Sequence, residues 1–339
     1  PLNTLLRAKD YAYMIENSQA AGVIYSPEFS EEVEPSLETA THKPTVVLKT
    51  EGSGETFAMR MAAADTTLKP AKVSPEDDAF WLYSSGSTGN PKGVEFEHRS
   101  QYLQTLTCAM TDSMALSATD SVCGIVTMFH AMGWGIPWSA LMLGCKQVMP
   151  HRFMDPARLL DLMVAEKVTL SAGVPTIWQG VKGLYEANPD AYDLSSLSRL
   201  TCGGSSPPPS LIRWFWDELD VEMIQGWGMT ETSPGGTALD AADVMRKIGS
   251  AGKALLHTEL KIVDDDGTTL PWGEVGELLI RGPNITPGYW NKPDATADSF
   301  VDGWLKTGDA ARFDDEGFIY IVDRWIDMYI SCLLYTSPS

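Results

Sequence analysis

The sequence predicts an α/β protein with doubly wound, mostly parallel sheets, followed by a small β-barrel-like subdomain. Three observations carry this. Apolar periodicity switches repeatedly between helical and strand-like over roughly the first 250 residues, as it does where strands alternate with helices. The strand-like run Ala79-Phe-Trp-Leu-Tyr83 feeds directly into a glycine-rich loop. After Gly249 the helical spacing gives way to short strands and tight turns. The 339 residues suffice for two to three domains or subdomains. We expect α/β nucleotide- and acyl-binding subdomains over residues 1–250 and the β subdomain over 251–322.

Each element has a local reason. Lys9 to Ala20 reads as a helix with Tyr11, Met14, Ile15 and Ser18 on one face, leading into the strand Gly22-Val-Ile-Tyr25. Thr45-Val-Val-Leu48 is a second strand, and Glu51 to Pro75 is a polar surface excursion. Asp155 and Pro156 open a helix through Glu166, with an acidic cap and proline in the first turn. Val168 to Ser171 follows as a strand, and Pro175 begins the next helix. Leu200-Thr-Cys202 is a strand ending on Gly203-Gly204; Pro209 to Leu219 is a helix with Leu211, Ile212, Phe215 and Leu219 on one face, and Val221 to Gln225 is the strand after it. Glu259-Leu-Lys-Ile-Val263 and Gly276-Glu-Leu-Leu-Ile-Arg281 are strands of the β subdomain. Asp264-Asp-Asp-Gly267 between them lacks EF-hand spacing and reads as a hairpin turn.

Composition excludes several classes. A formal charge of −20 argues against nucleic acid or an anionic membrane as partner. Cys108, Cys123, Cys145, Cys202 and Cys332 form no C-x-x-C pair, which argues against a zinc site or a disulfide framework and fits a reducing, cytoplasmic setting. Ser121 to Cys145 contains no Asp, Glu, Lys or Arg and has the length of a membrane span. Its glycines, Pro137 and His130 instead favour a buried strand, a turn and a helix, so no transmembrane segment is expected. No Gly-x-Ser-x-Gly elbow points to a hydrolase.

The chemistry-bearing run is Tyr83-Ser-Ser-Gly-Ser-Thr-Gly-Asn-Pro-Lys-Gly93. Glycines let backbone N–H groups converge, hydroxyls donate to oxyanions, and Lys92 adds a mobile positive charge. The preceding strand is expected to place the loop at the carboxyl edge of the sheet. The lysine lies between Pro91 and Gly93, so this is not a Walker A loop. On these residues alone, a phosphate cradle and a plain flexible turn both remain open.

Further motifs decide between them. In order come Gly203-Gly204-Ser205, Gln225-Gly-Trp-Gly-Met-Thr-Glu-Thr232, Trp304-Leu-Lys-Thr-Gly-Asp309 and Asp323-Arg324. With the loop, these closely resemble the signatures of the adenylate-forming (AMP-binding) superfamily of acyl-CoA synthetases, luciferases and peptide-synthetase adenylation domains. The resemblance extends over roughly residues 1–331 and implies the large N-terminal domain of such an enzyme. It also implies a reaction in which a carboxylic acid attacks the α-phosphate of ATP, pyrophosphate leaves, and coenzyme A then takes the acyl group. Catalysis would be mostly positioning and charge neutralisation.

By this resemblance Ser84, Ser85, Gly86, Ser87, Thr88, Gly89 and Lys92 hold the β- and γ-phosphates, Thr230 contacts the α-phosphate, and Glu231 holds Mg2+. Gly204 and Ser205 belong to the adenine-side loop, and Gln225, Gly226 and Trp227 to the aromatic motif beside it. Asp309 accepts both ribose hydroxyls, a natural task for a carboxylate, and Arg324 assists. Taken singly, Glu231 also reads as a solvated helix-end acid, Asp309 as a turn residue and Arg324 as a surface cation. His130, in an apolar stretch, reads alone as a core histidine; by resemblance it stands at the mouth of the acyl pocket.

Two branches of the superfamily are echoed. Asn3-Thr-Leu-Leu6, Asp10-Tyr-Ala-Tyr-Met14 and Phe80 to Gly89 look like benzoate-type aryl-CoA ligases. His98-Arg-Ser-Gln-Tyr-Leu103, Met128-Phe-His130, Phe153-Met-Asp-Pro156 and Gly173-Val-Pro-Thr-Ile-Trp178 look like medium- and long-chain fatty acyl-CoA synthetases. The second set, with Gly226 to Met229, lines the acyl pocket in that family, so a fatty acid is expected ahead of an aromatic acid.

The chain also departs from the pattern. Residues 323–331 read as the start of the hinge, with Ile326 where the family has Lys or Asp, and 332–339 as a non-native tail resembling translated sequencing adapter. The small C-terminal domain, its catalytic lysine and the stretch ahead of Pro1 are expected to be missing. Such a fragment is expected to bind ATP, adenylate poorly and form no thioester; a nucleotide-binding fragment without catalysis is the further reading.

Overall fold

The structure, a computed structural model, describes residues 1–84, 90–151 and 154–325. Ser85, Gly86, Ser87, Thr88 and Gly89 of the glycine-rich loop, Phe153, Ile326, the hinge beyond Trp325 and the tail with Cys332 lie outside the described residues. The chain divides into two compact units, residues 1–74 and the remainder from Pro75.

In the first unit, helix α1 (Ala8–Ser18), strand β1 (Gly22–Tyr25), helix α2 (Ser30–Thr39), strand β2 (Val46–Lys49) and helix α3 (Phe57–Ala63) follow one another. β1 and β2 pair in parallel. Tyr11, Ala12, Met14 and Ile15 are the buried face of α1. Ser18 is only half-buried, because the helix stops there on Gln19, whose φ of 51° turns the chain out of the helix. Residues 51–75 form the expected polar excursion, except that α3 lies within it, capped by the Thr56 hydroxyl.

The second unit opens with a hairpin of β3 (Asp78–Ser84) and β4 (Lys92–Glu97), followed by α4 (His98–Ala109). A seven-stranded sheet comes next. Its strands are β5 (Ser121–Gly124), β6 (Lys146–Val148), β7 (Leu170–Gly173), β8 (Arg199–Cys202), β9 (Glu222–Trp227), β10 (Thr237–Ala238) and β11 (Lys253–Ala254). Their spatial order is β11-β10-β9-β8-β7-β5-β6, parallel from β6 through β9 and antiparallel at β10 and β11. The chain moves outward from β5 to β6, then crosses back to β7, so its winding reverses beside β5. Between these strands come α5 (Ala131–Trp134), α6 (Ile136–Leu143), α7 (Pro156–Ala165), α8 (Pro175–Ala187) and α9 (Pro209–Leu219).

Strand alternation sends successive residues to opposite faces, and both faces are packed. Cys123, Leu200, Cys202 and Met223 face a core built from Leu159, Met163, Trp178, Val181, Ile212 and Phe215 of α7, α8 and α9. Val122, Leu170 and Ala172 face Cys108, Trp134, Ile136 and Ala140 of α4, α5 and α6. This is the doubly wound arrangement that the periodicity predicts. Asp155 caps α7 by accepting from the Arg158 N–H at 3.1 Å. The uncharged stretch becomes β5, α5 and α6; no described helix is long and apolar enough to cross a membrane.

A five-stranded antiparallel sheet follows, made of β12 (Glu259–Val263), β13 (Gly276–Arg281), β14 (Phe300–Val301), β15 (Trp304–Phe313) and β16 (Ile319–Arg324), with α10 (Pro293–Ser299) before β14. At Asp264–Gly267 the Asp264 carboxylate accepts from the backbone N–H groups of Asp266 and Thr268, and Gly267 takes a φ of +81°. The acidic run is thus a turn whose first carboxylate is spent on its own backbone.

One expectation is corrected. The strand before the glycine-rich loop is not part of the parallel sheet: β3 pairs antiparallel with β4 in a separate hairpin. The loop therefore joins two strands of a hairpin. The physical reason is that the sequence after the loop, Lys92-Gly-Val-Glu-Phe-Glu97, itself alternates in strand fashion and lies close enough to fold back.

Candidate functional site

The β3–β4 ladder places Ser84 opposite Lys92 and Tyr83 opposite Gly93, so both ends of the loop are held in register. The segment Asn284–Trp290 docks on this hairpin. Trp290 donates its backbone N–H to the Gly93 carbonyl at 2.8 Å, and Glu95 donates to the Gly288 carbonyl at 3.2 Å. Tyr289 is thereby set beside Lys92, whose Nζ lies 4.7 Å from the ring centroid. The Tyr289 hydroxyl donates to Glu231 Oε1 at 2.9 Å. Burial and the Glu231 charge push the Tyr289 phenol well above its usual pKa, so it stays a donor.

Glu231 sits in the tight turn Thr230–Thr232 just beyond β9 and is 7% exposed. Its carbonyl accepts from Thr286 N–H at 2.8 Å. The buried Asn284 amide donates to the Thr232 and Gly235 carbonyls at 3.0 and 2.9 Å, pinning the loop from the other side. Gly228 is obligatory here: a Cβ would stand 1.7 Å from the Pro234 carbonyl oxygen. Thr230 is half-buried at the start of the turn, four residues before Pro234.

The second cluster lies on β15, β16 and the end of β9. Asp309 and Arg324 are cross-strand partners. Arg324 Nη1 donates to Asp309 Oδ1 at 2.6 Å, and Trp227 Nε1 donates to Asp309 Oδ2 at 2.8 Å. The Asp309 N–H is satisfied by the Thr307 hydroxyl at 3.1 Å. Gly308, at φ +70°, supplies the backbone bend just before Asp309. The Trp227 indole lies against Gly236, where a Cβ would come within 2.6 Å of the ring.

On the third side, Gly203 packs so closely on Trp134 that a Cβ would meet its ring at 3.2 Å, while Gly204, at φ +77°, and Ser205 are exposed just after β8. Gln225 Nε2 donates to Ser206 Oγ at 3.3 Å, tying β9 to this loop. Gly226 admits the Thr237 carbonyl, which would be 2.9 Å from a Cβ. His130 is exposed just before a run of left-handed residues, Ala131 (φ 45°), Met132 (51°), Gly133 (63°), Trp134 (57°) and Gly135 (72°). For non-glycine residues such angles are strained. Neighbouring chain strips enough water from the imidazole to lower its pKa, although the ring keeps solvent access.

The described residues thus gather Lys92 and Glu231 around Tyr289, and Trp227, Asp309 and Arg324 around one carboxylate, with Gly204, Ser205, Gln225 and Gly226 at the ends of neighbouring strands. His130 follows β5, one strand beyond β7. Tyr289 and Asn284 escaped the sequence reading; the one cue was the aromatic pair Tyr289-Trp290 directly after Pro287-Gly288. Among the described residues, no group of three or more His, Cys, Asp or Glu side chains forms a metal centre.

Strands ending in glycine-rich turns, a buried acid and a lysine set about one tyrosine, and a doubly held carboxylate make up the candidate site. Residues 1–290 match the family described as AMP-binding enzyme, and the chain belongs to it. It is 41% identical over 267 residues to a medium-chain-fatty-acid–CoA ligase of Ectopseudomonas oleovorans, an alignment covering 76% of this chain and 48% of the relative. It is 34% identical over 333 residues to a feruloyl-CoA synthase of Amycolatopsis sp, covering 98% and 64%. In structure it resembles the inhibitor-bound N-terminal domain of FACL13 from Mycobacterium tuberculosis, with a TM-score of 0.85, 30% identity, and coverage of 96% of this chain and 79% of that one. The chain spans about half to two thirds of the length of the curated relatives it matches.

Proposed function

We propose that the chain carries the ATP- and acid-binding part of an AMP-forming acid–thiol ligase acting on a fatty acid. The observation that carries this reading is the buried Asp309 carboxylate, held by Arg324 and Trp227 with one acceptor site left on each oxygen. A vicinal ribose diol supplies two matching donors.

In the proposed reaction, a substrate carboxylate oxygen attacks the α-phosphorus of ATP, the bond to the bridging oxygen breaks, and pyrophosphate leaves with acyl-AMP formed. The coenzyme A thiol, losing its proton, then displaces AMP at the acyl carbon. Ser84 to Gly89 and Lys92 would hold the β- and γ-phosphates, Thr230 the α-phosphate, and Gly204, Ser205, Gln225 and Gly226 the adenine side. His130 and the left-handed turn after it would stand at the acyl pocket. Glu231 would contribute one carboxylate oxygen to Mg2+, which would offset charge on the phosphates. One oxygen of Glu231 is engaged by Tyr289, and among the described residues no group of three or more His, Cys, Asp or Glu side chains is gathered, which suits a magnesium ion held mostly by phosphate and water. Buried, unpaired thiols, with Cys108 and Cys123 pushed up to about 11 and Cys202 to about 12, fit a reducing cytoplasm.

The fatty-acid assignment draws on the motif set at residues 98–103 and 173–178 and on the 41% identity to the medium-chain ligase. An aryl acid is the second reading, favoured by the similarity to a feruloyl-CoA synthase over 98% of the chain. Pyrophosphate exchange with octanoate, palmitate and benzoate tests both. Exchange driven best by an aliphatic acid is expected; preference for benzoate selects the aryl reading. No exchange with any acid, alongside measurable ATP binding, leaves nucleotide binding without catalysis.

A further inference from the structure

We propose that the indole N–H of Trp227 is a specificity-determining positioning group, which fixes the Asp309 carboxylate so that nucleotide binding depends on both ribose hydroxyls. This rests on the reading of Asp309 as the ribose acceptor.

The argument begins with the torsion of the aspartate. The terminal sp³–sp² torsion of an aspartate is broad, so a carboxylate held by one donor still swings. Arg324 alone is such a single arm, and its side chain is 58% exposed. Trp227 supplies the second arm on the other oxygen, at 2.8 Å. Its donor is not free to wander. The ring abuts Gly236, Trp227 packs against the buried clusters of Ile262 and Leu278 and of Ile280 and Leu305, and its own backbone N–H is bound to the Thr237 hydroxyl at 3.2 Å. An ionised carboxylate has about four acceptor sites, two on each oxygen. Arg324 and Trp227 take one on each, and the two that remain are split between the oxygens. That split suits two adjacent O–H donors and gives a lone hydroxyl only half its bonds. Indole is a donor only, so it cannot compete for those sites by accepting. A phenylalanine would fill most of the same space without this control.

The test is calorimetric binding of ATP and 2′,3′-dideoxy-ATP to the full chain and to Trp227→Phe. The wild-type chain is expected to prefer ATP by about tenfold or more, as loss of hydrogen bonds to a charged group implies. In Trp227→Phe that preference is expected to fall at least about threefold, whether or not the smaller ring also weakens both nucleotides. If Phe destabilises the chain, replacing Trp227 with 3-benzothienylalanine, which keeps the shape and exchanges N–H for sulfur, gives the same readout. An unchanged preference in either variant overturns the proposal, as does an equal weakening of both nucleotides, which would mean the ring acts by stacking alone. A wild-type chain that binds both nucleotides equally refutes the ribose role of Asp309 itself, and the role of Trp227 falls with it.

Discussion

Asp309 and Glu231 are both buried acids, and each is made tolerable by a specific donor. For Asp309 the donors are Arg324 and Trp227, so Asp309→Ala removes the carboxylate and strands both. We expect ATP affinity to fall by tens-fold, read by calorimetry; unchanged affinity would count against the ribose assignment. For Glu231 the donor is Tyr289. Tyr289→Phe leaves a buried carboxylate oxygen without its hydrogen bond and should lower stability by about 2 kcal/mol in urea unfolding. A loss within experimental error would show that water replaces the hydroxyl. Asp309 and Glu231 stand out in the sequence because each lies in a run of neighbours with recognisable order. Tyr289 does not, because its meaning lies in a contact across 58 residues that no local pattern encodes.

The elements show the same division between local and distant causes. The proline-led starts of α7, α8 and α9 were readable, since the residues that begin a helix lie within its first turn. The partner of β3 was misread, because periodicity identifies a strand without saying what it pairs with. Gly228 between β9 and the Glu231 turn gives a sharp test. Gly228→Ala places a methyl 1.7 Å from a backbone oxygen, which cannot rotate away. We expect a loss of at least about 3 kcal/mol, measured by chemical unfolding. His257, just after β11, has a lowered pKa from burial, and its Nε2 has no partner among the described residues. The unfolded chain, near pKa 6.5, therefore takes up the proton first as pH falls. The stability that depends on the neutral ring is present above that pH and is lost below it. The thermal midpoint should drop between pH 7 and 5, and more shallowly in His257→Gln; identical slopes would remove His257 from the account.

For the whole chain, the doubly wound sheet was legible because helical and strand periodicities alternate along it. The antiparallel β10 and β11 were not, being two residues each. Trp178, fully buried between β7 and α9 and edge-on to Phe215, anchors one face of that sheet. Trp178→Ala should cost about 3–5 kcal/mol in unfolding free energy; a cost below about 1 kcal/mol would mean that the layer collapses to fill the space. The docking of Asn284–Trp290 on the β3–β4 hairpin also has a temporal consequence. The Thr286 hydroxyl donates to the Glu95 carbonyl across 191 residues. A ribosome adding 5–20 residues per second needs roughly 10–40 s to supply that second partner. The hairpin strands are made early, but the lysine meets Tyr289 only once residue 289 has emerged. A nascent chain stalled before residue 284 should therefore hold a hairpin packed on Met132 but still lacking the backbone bonds to Gly288 and Trp290.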